Sequence, residues 1–97
     1  MNVIWTPEAE EDRAKIVAYI RADNPLAAAR MDRLFSRAAS RLAEHPRLGR
    51  PGKIPGTREL IPHESYRLVY EIHDEIVWVL VLVHTARQWP PATDWKR

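Results

Sequence analysis

Arg67 and Arg87, with His84 between them, are the residues whose types and spacing best suit chemistry in this chain. Cleavage of RNA through its own 2′-hydroxyl needs a proton acceptor, a proton donor and cations that hold a phosphate as its negative charge grows. Guanidinium forks match a phosphate, and an imidazole titrates near neutrality, so the two arginines would grip while His84 moved a proton. Such a reaction calls for no metal and no cofactor, and none is expected. Arg50, Lys53 and Arg58 lie with Arg47 between Glu44 and Glu59, a stretch without an acid, and are the candidate nucleic-acid-binding cations. Plainer roles stand beside these. Arg67 could be a strand residue paired with Glu59 or Glu71, His84 a core-edge histidine, the loop cations general electrostatics, and Trp89 a seal over one end of a sheet. His45, His63 and His73 have no assigned role. The sequence has no phosphate-binding glycine loop, no nucleophile elbow and no helical pair of metal-binding histidines.

The elements that must position these residues are legible in the order of caps and periodicities. Asn2 to Trp5 reads as a short strand. Thr6-Pro7 then gives a capping hydroxyl followed by a proline at the first helical position, with Glu8, Glu10, Glu11 and Asp12 at the positive end of the helix dipole. Ala9, Ile16, Val17 and Ile20 form its apolar stripe, ending near Asp23. Asn24-Pro25 repeats the start signal, and Ala28, Met31, Leu34, Phe35, Ala38 and Leu42 recur at helical spacing until His45-Pro46. The loop from Pro46 to Gly56, dense in proline and glycine, is expected to be irregular. Thr57 to Ile61 looks extended. Tyr66, Leu68, Tyr70 and Ile72 alternate with Arg67, Val69 and Glu71, the pattern of a strand with one buried face. His73-Asp74-Glu75 turns the chain into Ile76 to His84, apolar at nearly every position and so expected at the centre of a sheet. The prediction is a β-α-α-β-β-β, α+β domain, with a helical hairpin on one face of an antiparallel sheet and a loose tail from Pro90.

Length and composition fit that plan. The 97 residues, 45% of them hydrophobic, make one domain around one core. With no cysteine, disulfides and thiolate metal sites are excluded, and a reducing cytoplasm is expected. No apolar run approaches the length of a membrane span, so no membrane partner is expected. The net charge of +2 favours an anionic partner only weakly.

Over residues 2 to 90 the sequence resembles the RelE/ParE superfamily of type II toxins. Trp5 to Ile20 with Asn24-Pro25-Leu26-Ala27-Ala28 is similar to the helical hairpin of its ParE-type, plasmid-stabilisation branch. Gly49-Arg50 and Gly56-Thr57-Arg58-Glu59-Leu60 resemble that branch's loop and first hairpin strand. Tyr66-Arg67-Leu68-Val69-Tyr70, Val79 to Val83, His84, Arg87 and Trp89-Pro90 resemble the last two strands and their exit. The resemblance implies a microbial-RNase-like fold and a cognate antitoxin that wraps the toxin and alone carries operator DNA. RelE-type members cut mRNA in the ribosomal A site, with arginines corresponding to Arg67 and Arg87, and that activity is the expected one here. RelE's lysine-rich strand and C-terminal catalytic tyrosine have no counterpart. ParE-type members instead poison DNA gyrase, which is the alternative; a non-toxic corepressor partner of the antitoxin is a third.

Overall fold

The computed structural model describes residues 1–91. Over them run β1 (Asn2–Trp5), α1 (Pro7–Asp23), α2 (Pro25–Glu44), β2 (Arg50–Pro51), β3 (Arg58–His63), β4 (Tyr66–His73) and β5 (Ile76–His84). Both helices begin as their caps dictate. Thr6 Oγ1 accepts from Ala9 N at 3.2 Å, and Asn24 Oδ1 accepts from Ala27 N at 3.0 Å, each with a proline next in line. Asn24 does double duty, because its own N–H closes α1 by donating to Ile20 O at 2.8 Å. One residue therefore ends one helix and starts the next, and the hairpin has no loop. Arg13 clasps it: Nε donates to Asp32 Oδ1 at 2.7 Å, Nη2 donates to Asp32 O at 3.0 Å and Ser36 Oγ at 2.6 Å, and the guanidinium lies 4.8 Å from the centroid of the Trp5 ring.

The hairpin covers one face of a five-stranded sheet in the order β1-β5-β4-β3-β2. The expected all-antiparallel sheet is corrected in one place: β1 runs parallel to β5, with Asn2 beside Ile76 and Trp5 beside Val79. The meander β3-β4-β5 leaves β5 with a free edge, and β1 fills it in the direction that delivers the chain straight into α1. The loop is also less irregular than expected. Arg50–Pro51 pairs with Arg58 and Glu59 at the sheet's outer edge, where a proline costs no ladder bond. The β4–β5 turn is carried by Asp74 and Glu75, both at positive φ (50° and 61°), as a two-residue hairpin turn requires.

Phe35 and Leu42 of α2 pack with Leu68, Tyr70, Val77 and Val79 of the sheet, all fully buried, while Ala9 and Val17 bring in α1. Between Val69↔Val81 and Tyr70↔Val79 the register shifts by one residue, which makes Leu80 a β-bulge. On the other side of the sheet Val69, Leu80, Val81 and Trp89 form a second buried cluster, with Ile54, Trp78 and Val83 around it. The β4 alternation therefore separates two buried faces rather than core from water, and Trp89 closes the outer face rather than one end. The loose tail expected from Pro90 lies, beyond Pro91, outside the described residues.

Candidate functional site

The sheet separates the residues singled out as catalytic. His84 is the register partner of Tyr66, on the helix side, and its ring meets the Tyr66 ring edge-on with centroids 5.3 Å apart. His84 Nδ1 accepts from Ala86 N at 3.0 Å, which leaves Nε2 as the nitrogen available to a ligand. Arg87 follows in a tight turn, its N–H donating to His84 O at 3.0 Å, and its side chain is exposed. Thr85 anchors this exit to the β3–β4 connection through Ser65 O and Glu64 O. His84 and Arg87 thus line one cleft of about 730 Å³, together with Tyr66 and with Asp12, Lys15 and Tyr19 of α1.

Asp12 is built into that cleft. Its Oδ2 accepts from Leu82 N at 3.1 Å, on the stretch of β5 that extends past the end of β1. Burial pushes its carboxyl above the ordinary range, the Leu82 N–H pulls it back, and the charge of Glu8 adds to the rise. Burial likewise raises the Tyr66 phenol, with a smaller contribution from Tyr19. The α1 contributors escaped the sequence reading, although Asp12, Lys15, Ile16 and Tyr19 carried a signal in their three- and four-residue spacing.

Arg67 is on the opposite face. It sits across from Val83, and its Nε lies 3.3 Å from Glu59 Oε1, with side-chain exposures of 13% and 2%. The other oxygen of Glu59 accepts from Lys53 N at 3.1 Å, so one buried carboxylate holds both a strand arginine and the loop. Arg58 is also engaged. Its Nη1 donates to Gly49 O at 2.7 Å, beside the Tyr70 hydroxyl, which donates to Pro46 O (2.7 Å) and accepts from Gly49 N (2.9 Å). The side chains of Arg50 and Lys53 are exposed, but β2 lies three strands from β5, roughly 14 Å away. Of the six candidates His84 and Arg87 share the cleft, whereas Arg67 and the Lys53 amide meet at Glu59, the register partner of Arg50. Among the described residues there is no cluster of three or more His, Cys, Asp or Glu that could hold a metal ion.

Residues 3–89 match the family described as the ParE toxin of type II toxin-antitoxin systems, parDE. The chain is 40% identical over 90 residues to Y4kP of Sinorhizobium fredii (strain NBRC 101917 / NGR234), provisionally described as a toxin, covering 92% of this chain and 93% of that one. It is 38% identical over 86 residues to Toxin RelE2 of Caulobacter vibrioides (strain ATCC 19089 / CIP 103742 / CB 15), covering 89% and 97%. Its fold is similar to a chain of the chromosomal ParDE system from P. aeruginosa (TM-score 0.76, 19% identity, 87% and 95% covered). It is also similar to a chain of the YoeB-YefM complex from Staphylococcus aureus (TM-score 0.59, 20% identity, 86% and 94% covered).

Proposed function

Since the chain belongs to the ParE toxin family of type II toxin-antitoxin systems, we propose that this toxin acts by binding DNA gyrase and blocking its cycle rather than by cutting RNA. The observation that carries this reading is the position of Arg67. Metal-free cleavage needs the phosphate-holding cations and the proton-moving group on one surface. Here Arg67 faces away from His84 across the sheet, lies outside the cleft that His84 and Arg87 line, and is paired with Glu59. The cleft suits recognition instead, since the Tyr19 ring, 82% exposed, stands beside the cations Lys15 and Arg87, as a protein-binding surface rich in Tyr and Arg does. A cognate antitoxin, partly disordered before it binds, would cover the same cleft and the stretch of β5 that extends past the end of β1, its acids meeting Arg87 and Lys15.

A second reading, ribosome-dependent mRNA cleavage, keeps one specific support: His84, whose Nδ1 is taken by Ala86 N, lines the same cleft as Arg87. One pair of assays separates the two. The full-length chain, freed from its antitoxin, is added to gyrase and relaxed plasmid, and cellular mRNA is mapped by primer extension after brief induction. Lost supercoiling with intact mRNA is expected. Normal supercoiling with cuts inside translated codons that vanish in Arg87→Ala would replace the proposal with the nuclease reading. Undisturbed growth together with retained antitoxin binding would leave only the corepressor role.

A further inference from the structure

The outer face of α2 carries Arg30, Arg33, Arg37 and Arg41, all exposed. Their spacing of three, four and four residues places them in one row along the helix. Between the first and the last the row runs about 16 Å, with Arg33, Arg37 and Arg41 about 6 Å apart along the axis. None of the four side chains makes an ion pair among the described residues. The acids of α2 do not compensate them, because Asp32 is taken by Arg13 and only Glu44, at the end of the helix, remains. Like charges at this spacing weaken a helix, so the row opposes the folding of its own element.

From this we infer that the α2 arginine row binds the phosphate backbone of duplex DNA. An interval of about 6 Å matches the step between successive phosphates along one strand, and a straight helix can lay the row against it. All four cations are arginines, whose planar forks take phosphate oxygens in pairs. The composition between them argues against a protein partner. Ala29, Ser36 and Ser40 are exposed beside the row, and the exposed large apolar residues Met1, Ile4, Tyr19, Leu48 and Ile61 all lie off α2, with Leu26 alone at its start. A protein interface would centre on apolar anchors, whereas a backbone contact needs only charge and reach. No residue of α2 lines the His84/Arg87 cleft, so the two surfaces can be occupied at once. The row deepens the gyrase reading, since that enzyme works on duplex DNA, but it is measurable without gyrase.

The test uses the full-length chain and a fluorescent 20-base-pair DNA duplex, titrated across about 50 to 200 mM KCl. Arg33→Gln, Arg37→Gln and Arg41→Gln are combined in one variant, on exposed positions where a thermal melt no lower than that of the native chain verifies folding. A charge-matched control carries Ala14→Glu, Ala18→Glu and Ala22→Glu on α1. Each phosphate contact contributes about 0.9 to the slope of log affinity against log salt, so the triple arginine variant should lose about two to three units of slope. Its affinity at intermediate salt should fall at least about tenfold, with antitoxin binding intact and the control losing less. Unchanged affinity and slope, equal losses in the control, or a loss confined to antitoxin binding would each overturn the inference. If gyrase proves unaffected while the slope still falls, the row stands and the gyrase reading fails.

Discussion

Glu59 and Asp12 show two ways in which a carboxylate can be placed under strain by burial, and they respond differently to change. Glu59 is 3% exposed and holds Arg67 and the Lys53 amide. Glu59→Ala strands a mostly buried guanidinium, which should cost about 3 kcal/mol in urea unfolding. Arg67→Met added to Glu59→Leu should recover part of that loss, because two apolar groups leave no charge uncompensated. If the double variant still arrests growth, Arg67 has no chemical role. Asp12 carries a different signature. Its carboxyl is raised in the folded chain, so the folded state binds its proton more tightly than the unfolded one does. The contribution to stability is complete below the ordinary value of 3.8 and is lost as pH rises through the raised one. Asp12→Asn, which keeps an acceptor for Leu82 N, should therefore be more stable than the native chain at pH 7. The gain should vanish when both are melted near pH 3. A native chain that matches or exceeds the variant at pH 7 would contradict this.

Among the elements, the hairpin is the part most completely written in the sequence, because capping is local. Thr6-Pro7 and Asn24-Pro25 set both helix starts to the residue. Asn24→Ala removes a cap and should cost about 1 kcal/mol, whereas Asn24→Asp should be close to neutral. The Arg13 clasp could not be read in this way, since Asp32 and Ser36 meet it only once the hairpin has closed. Arg13→Ala should lower stability by about 1 to 3 kcal/mol in a thermal or urea melt, by losing three charge-assisted hydrogen bonds. The strands were legible as strands, but their relations were not. Alternation in β4 identified two faces without saying that Trp89 would cover the second, because a contact between residues far apart leaves no trace in periodicity. The bulge at Leu80 and the parallel neighbour of β5 are long-range facts of the same kind. That is also why Arg67, His84 and Arg87 looked like one constellation: strand pairing brings Arg67 beside the end of β5, and only the facing of its side chain separates it from His84.

At the scale of the whole molecule charge is divided between the helices. α1 carries five acids against three bases and α2 four arginines against two acids, so the net charge of +2 conceals two helices of opposite net charge. Composition could not reveal it, since the acids and bases of the first half nearly cancel. The sheet has an order of assembly as well as a shape. β3, β4 and β5 are neighbours in the chain, but β1 must wait, because Asn2 finds its partner only at Ile76. Closing so long a loop is slow, and during synthesis it is impossible until β5 has emerged. A ribosome-bound chain halted at Glu75 should accordingly leave its first residues open to protease, while one extended beyond the ribosome should protect them. Whatever surface the finished sheet offers a partner is therefore absent until β5 has joined β1, so a partner that needs that surface meets the chain only late in its folding.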